Sequence, residues 1–255
     1  MTRAELLDFA TDLAWRAGRV TLAHFQTGVA AERKADDTPV TVADRAAERL
    51  VREAVGARFP DDGILGEEEG PVNPGANRRW IVDPIDGTRS FVRGVPLYAV
   101  LLALEEEGEP VLGVVHFPAL GETVYAAAGL GCWLNGRPAR VSKVDRLEEA
   151  CVVTSDAKLA AHGARAEGWA RLAAAAGVAR TWGDAYGYAL VATGRAEAMV
   201  DAEMQVWDAA AVAVVVREAG GVFTDWAGSA THAGGCGVGT NAALADRVRR
   251  TLGEG

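Results

Sequence analysis

The chain has 255 residues, of which 49% are hydrophobic, enough to bury a large core as one compact unit or as two closely joined lobes of about 1–143 and 144–255. Its net charge of −9, with no basic run longer than two residues, excludes a general nucleic-acid binder, and three widely spaced cysteines exclude a disulfide scaffold. The start, Met1 to Glu5, leads into acidic helical sequence without a signal peptide's apolar core, and no apolar stretch is long enough to span a bilayer, so a cytoplasmic protein is expected.

In chain order, Leu6, Ala10, Leu13, Ala17 and Val20 form the stripe of an amphipathic helix over 3–26. Thr41-Val42-Ala43-Asp44 is a capping box that opens a second helix over 42–58 and gives Asp44 a structural use. Gly63-Ile64-Leu65 predicts a short strand running into the acidic loop Gly66-Glu67-Glu68-Glu69-Gly70. Glu68 and Glu69 read as a solvated face, whereas Glu67 stands directly at the strand's end. Arg79 to Val82 predicts a short buried strand, and Asp83-Pro84-Ile85-Asp86 reads as the four positions of a β-turn, with Pro84 fixing φ at the second. Gly87 permits backbone conformations closed to other residues, and Thr88 opens a helix through Phe91. Strands are expected at 98–104, 111–117 and 123–128 and in a piece ending at Leu134, before Asn135-Gly136 turns the chain back. The second half alternates strand 151–154, helices 166–176 and 185–193, strand 197–201, helix 208–219, strand 221–224 and a helix after Asn241, a pattern that predicts α/β layering.

The Asp-Pro-Ile-Asp segment brings two carboxylates together at the end of a strand, where ligands gather in open α/β sheets. Like charges so close repel, so either one takes up a proton or a cation holds the pair. The first-turn amides after Gly87 are a ready anion site. Each acid also has a structural use: Asp and Pro form turns, and Asp208, before an apolar helical run, is placed as an N-cap. Taken alone, the hexapeptide fits a capped loop as well as a metal site. His24, His116, His162 and His232 lack the spacing of zinc motifs and read as surface or helix-face residues. An aspartate-nucleophile phosphatase of the haloacid dehalogenase type spaces its pair Asp-x-Asp near the chain's start, unlike the Asp-x-x-Asp here at residue 83.

The ordered set Asp44, Gly66-Glu67-Glu68, Asp83-Pro84-Ile85-Asp86-Gly87-Thr88 and Trp207-Asp208-Ala209-Ala210 resembles the inositol monophosphatase family of Mg²⁺-dependent, lithium-sensitive phosphatases, from about Lys34 to Asp225. The resemblance implies a layered α-β-α-β-α sandwich and a homodimer. It implies that Glu67, Asp83 and the Ile85 carbonyl hold one Mg²⁺, that Asp83, Asp86 and Asp208 hold a second, and that Asp44 helps to bind a further, weaker ion, with Mn²⁺ as a possible substitute. Thr88 with Glu67 would orient the attacking water, and the amides of Gly87 and Thr88 would bind phosphate. Such sites activate water with one ion and stabilise the leaving alkoxide with another.

The segments Arg180 to Tyr188 and Thr88 to Pro96 are similar to the histidinol-phosphatase branch of that family. Inositol-specific members are expected to carry a glutamate seven residues before the Trp-Asp aspartate, where this chain has Asp201. Histidinol phosphate, an ester of histidine biosynthesis, carries an ammonium and an imidazole. Gly183, Asp184, Ala185 and Asp201 are therefore expected around the leaving group, with Arg180 near the phosphate, while capping the helix at 185 is the structural use of Asp184. Inositol 1-phosphate, a broad range of small monophosphates and 3′-phosphoadenosine phosphate are the alternative substrates, and a catalytically silent metal-binding relative is the alternative class.

Overall fold

The two N-terminal helices begin by one device. In α1 (Arg3–Leu22) the cap is Thr2 with Glu5 at the third helical position, and in α2 (Val42–Arg58) it is Thr41 with Asp44, so each acid satisfies its own cap's backbone N–H. The computed structural model describes residues 1–33, 39–156 and 164–253. Lys34, where the family resemblance begins, and His162 lie outside them. Between the helices, β1 (Glu32–Arg33) and β2 (Pro39–Val40) pair antiparallel.

A seven-stranded sheet follows: β3 (Gly63–Gly66), β4 (Arg78–Asp86), β5 (Ala99–Glu106), β6 (Glu109–Phe117), β7 (Glu122–Ala127), β8 (Gly131–Leu134) and β9 (Arg137–Ala139), ordered in space as in sequence. Only β3 and β4 are parallel to each other; the remaining neighbours are antiparallel. The one-turn α3 (Thr88–Val92) interrupts the run after β4. Asn135 and Gly136, at φ 48° and 79°, make the β8–β9 hairpin that the dipeptide predicts.

The second half supplies β10 (Cys151–Val153), α4 (Ala164–Ala175), β11 (Val178–Arg180), α5 (Ala185–Ala192), β12 (Ala198–Asp201), α6 (Val206–Glu218), β13 (Val222–Thr224), β14 (Gly237–Thr240) and α7 (Ala245–Gly253). Its strands form a five-stranded sheet in the order β11-β10-β12-β14-β13.

Alternation along the strands sets the layers. Trp80, Val82, Val100 and Leu102 face Leu13, Ala47 and Val51 of α1 and α2, whereas Ile81, Leu101 and Val115 face Ala189, Val212 and Val215 of α5 and α6. Across those two helices lie Val153, Met199 and Phe223 of the second sheet, whose other face packs Val152, Val200 and Val238 on Leu172, Val248 and Leu252 of α4 and α7. The result is the expected α-β-α-β-α sandwich. The contact of α6 with the first sheet is backbone-close: a Cβ on Gly113 would strike the Ala211 carbonyl, and Ala103 and Ala126, its partners on β5 and β7, are equally small.

Three expectations change. Asp83 to Asp86 is not a β-turn but the irregular end of β4, described below. Asp208 is the third residue of α6, not its N-cap, because the helix starts earlier, with Gln205 as the cap. His116 and His232 are buried. His116 Nδ1 lies 2.8 Å from the Thr123 hydroxyl beneath α1, and burial pushes its pKa down to about 4, so it packs as a neutral ring. His232 is enclosed because it reaches Glu105 of the first sheet, with Nε2 at 3.0 Å.

Candidate active site

Because β3 and β4 run parallel, their carboxyl ends open on one edge of the sheet. There the chain leaves β3 at Glu67, whose N–H donates to the Val82 carbonyl at 3.3 Å. Beyond Val82, β4 pairs with β5 as Asp83↔Leu101 and then Asp86↔Ala99, three steps against two. The extra residue is a β-bulge. In a regular strand, positions three apart point to opposite faces; the bulge turns Asp83 and Asp86 to the same face, the one covered by α5 and α6. Asp83 Oδ1 also accepts the Ile85 N–H at 3.0 Å, which closes the bulge.

From the opposite layer α6 delivers Asp208, whose Oδ2 is tied to the Gln205 N–H at 2.7 Å, leaving its other oxygen for the sheet. Carboxylate oxygens of Asp83, Asp86 and Asp208 all lie within 4.8 Å of one another. Asp83 is 2% exposed and Asp86 8%. Burial, then the charges of Glu67, Asp86 and Asp208, hold the Asp83 carboxyl well above the usual carboxylate range. Burial, then Asp184 and Asp208, does the same to Asp86. Burial pushes Asp208 up to about 6 against the opposing Gln205 hydrogen bond. A set of all-oxygen donors at this spacing, too crowded to stay ionised alone, fits a hard divalent cation.

Asp44 stands behind this group, fully buried. Its Oδ2 accepts both the N–H of Thr41 at 2.7 Å and its hydroxyl at 2.6 Å, while Oδ1 has no hydrogen-bond partner among the described residues. Burial raises its pKa, the Thr41 bonds oppose the shift, and the nearby Glu67 charge adds to it.

A cleft of about 270 Å³ opens over the three aspartates, walled by Glu67, residues 85–89, Asp184 and Pro39. Gly87 sits at φ 82°, and a Cβ there would come 2.8 Å from Asp184 Oδ2. Thr88 Oγ1 donates to the Ile85 carbonyl at 3.0 Å, so that oxygen keeps one lone pair for another partner. A smaller pocket of about 80 Å³ adjoins the cleft, sharing Asp86, Asp184 and Asp208 with it and adding Ser155, Ala185, Tyr188, Asp201, Glu203 and Met204.

The sequence profile of the inositol monophosphatase family matches residues 2–254. The chain belongs to the inositol monophosphatase family. The histidinol-phosphatase of Chlorobaculum parvum is 45% identical over 98% of this chain and 97% of its own, and that of Mycobacterium tuberculosis is 42% identical over 98% of each. The extragenic suppressor protein suhB from Bartonella henselae superposes with a TM-score of 0.92 at 31% identity, over 98% of this chain and 99% of its own.

Within this family member, Glu67, Asp83, Ile85, Asp86, Gly87, Thr88, Asp184 and Asp208 line the cleft, and Ala185 and Asp201 line the adjoining pocket. Gly183 packs against the backbone of Ser155, where a Cβ would overlap it. Asp184 occupies the cap position of α5, but its side chain makes no cap bond and its backbone is at φ 53°, ψ −156°, so the helix-capping use does not apply. Burial raises its carboxyl pKa against the pull of Arg89. Burial pushes Asp201 up to about 7, opposed by hydrogen bonds from Ser155 and reinforced by the Asp184 charge. Arg180 lines neither space; it is exposed on β11, bonded to the Ala179 carbonyl at 2.7 Å and 6.0 Å from the Trp182 ring.

Four contributors escaped the sequence reading. The buried Glu48 carboxylate accepts the N–H groups of Glu68 at 2.8 Å and Glu69 at 3.0 Å while pairing with Arg52 at 2.8 Å, and so sets the loop that carries Glu67. Gly66 is required beside it, because a Cβ would collide with that carboxylate. Glu69 is exposed as expected, but Glu68 is only half-exposed. Glu48 lies four residues before Arg52, an ordinary helical ion pair in sequence, so nothing marked it. Arg89, the one cation among the described residues lining the cleft, had only its place beside Thr88 to mark it. Ser155 and Tyr188 become site residues only through folding.

Proposed function

We propose that this phosphoric monoester hydrolase acts on L-histidinol phosphate with Mg²⁺ as its metal. The observation that carries the reading is the acidic lining of the small pocket beside the three aspartates: Asp184, Asp201 and Glu203, with no Lys or Arg among the described residues that line it. Such a pocket suits a leaving group with an ammonium and an imidazole better than a neutral polyol. The names of the similar histidinol-phosphatases support the same substrate.

Glu67, Asp83, Asp86, Asp208 and the Ile85 carbonyl would hold two Mg²⁺ ions, and Asp44 would contribute to a third. Bound there, Mg²⁺ supplies Lewis-acid charge and water activation at neutral pH. Glu67 and Thr88 orient the water in this reading, with the Thr88 hydroxyl fixed by its bond to the Ile85 carbonyl. The amides of Gly87 and Thr88 bind the phosphate, with Arg89 at the cleft wall as its one cation among the described residues. Asp184 and Asp201, both carboxylates drawn out of water, take up the cationic end. We further infer one catalytic unit of two lobes meeting near residue 143, acting in the cytoplasm as a homodimer.

Phosphate release from histidinol phosphate, inositol 1-phosphate and 3′-phosphoadenosine phosphate tests the reading, each with Mg²⁺, with added Li⁺ and with chelator. We expect histidinol phosphate to lead by about tenfold or more in kcat/KM, Li⁺ to inhibit and chelator to abolish turnover. A lead for either other ester would overturn the substrate assignment. Asp184→Asn should raise KM for histidinol phosphate and leave KM for a neutral ester near its original value.

A further inference from the structure

Ser155 lies just beyond the end of β10, half-buried, on an element that carries none of the candidate metal ligands. It touches both acids of the small pocket. Its N–H donates to Asp201 Oδ1 at 3.2 Å. Its Oγ in turn accepts the N–H of Asp184 at 2.6 Å. Asp201 closes β12 and Asp184 precedes α5, so this one residue ties the carboxylate of Asp201 to the backbone of Asp184, two acids on separate elements.

The backbone of Asp184 makes this contact informative. At φ 53° and ψ −156° it sits near a region that essentially only glycine enters freely, and its side chain makes no cap bond in return. A glycine at this position would relieve the conformation, so the aspartate is there for its carboxylate. The strained residue is clamped on both sides: Ser155 Oγ takes its own N–H, and Asp86 Oδ2 takes the N–H of Ala185 at 2.7 Å. Gly183 allows the clamp, since any side chain there would overlap the Ser155 backbone.

We infer that Ser155 is a positioning residue, which sets the distance and orientation of the Asp184 and Asp201 carboxylates and so governs discrimination between cationic and neutral phosphate esters. The inference rests on the histidinol phosphate reading above. Ser155 touches no reacting atom in it; it acts through the two acids.

The test uses the full chain with Mg²⁺, comparing Ser155→Ala with the unaltered enzyme on histidinol phosphate and on 4-nitrophenyl phosphate, whose leaving group has no cation. Losing the hydroxyl should raise KM for histidinol phosphate about tenfold, with KM for the nitrophenyl ester within about twofold and kcat for both within about threefold. The melting temperature should stay within a few degrees, and Ser155→Thr, which keeps the hydroxyl, should recover most of the discrimination. Should Ser155→Ala fail to fold, Ser155→Cys, close in shape and a weak acceptor, carries the same comparison. Equal loss on both esters, or unchanged KM for histidinol phosphate, overturns the positioning role alone. An unaltered enzyme with no preference for histidinol phosphate removes the substrate reading first, and this inference with it.

Discussion

At the amino end of β4, Arg78 meets Asp62 at 2.9 Å and Arg79 meets Glu105 at 2.9 Å, with His232 completing the Glu105 site from the connection between β13 and β14. At the carboxyl end of the same strand, Asp83 and Asp86 are as deeply buried, yet among the described residues their charged neighbours are other carboxylates. One end is neutralised by the chain itself and serves the fold. The other lacks such a countercharge among the described residues and fits a bound cation, and burial without pairing is what separates a site from a strut.

The comparison can be broken most directly at Asp83. Asp83→Asn should lower kcat/KM by about a thousandfold or more, while the metal-free variant melts no lower than the metal-free unaltered protein, since a repelled buried charge has gone. Divalent cation should raise the melting temperature of the unaltered protein and raise that of the variant far less. A metal-free Asp83→Asn that melts well below its parent would show the aspartate to be structural.

Glu105→Gln makes the opposite prediction. It takes the carboxylate from a part-exposed Arg79 and a buried His232 and should cost about 1–2 kcal/mol of stability in a denaturant titration, with kcat/KM per folded molecule nearly unchanged. Gly66→Ala is intermediate: its methyl group displaces the Glu48 carboxylate and the loop it holds, with an expected cost of about 2 kcal/mol and a fall in activity that added Mg²⁺ partly restores.

The smallest effect concerns Asp201, whose carboxyl is raised to about 7 by burial. The folded protein retains that proton in a range where the unfolded chain has lost it. This group's contribution to stability therefore declines as pH rises from the ordinary aspartate range to about 7, and the penalty is complete above that. Asp201→Asn should abolish the slope and match or exceed the parent in stability at pH 8. Preference for the cationic ester should meanwhile strengthen in the parent as pH passes 7, and stay flat in the variant.

The layered fold was legible because its signals are local: the cap at Thr41, alternation in β5 to β7, and Asn135-Gly136 at a hairpin. The strands missed are short: β1 and β2 have two residues each, β9 and β11 three and β14 four, and β11 and β14 draw their pairing from β10 and β12, remote in sequence. Asp83, Asp86 and Asp208 were legible as a set, but the geometry joining them was not, because a bulge is defined by the strand opposite and Ala99 and Leu101 carry no mark of it. His116 was discoverable: it alternates with Leu112 and Val114 on one face of β6, both buried. Nothing around His232 points to Glu105, 127 residues away.

Gly113 lies outside the candidate cleft, yet it fixes how low α6 can settle. Asp208 rides on that helix one turn before Ala211, so the height of the third carboxylate above the other two is gauged by a hydrogen atom on β6. Any larger side chain there would jack the helix upward and widen the triangle of oxygens, detuning the site for a small ion from the far side of its own support.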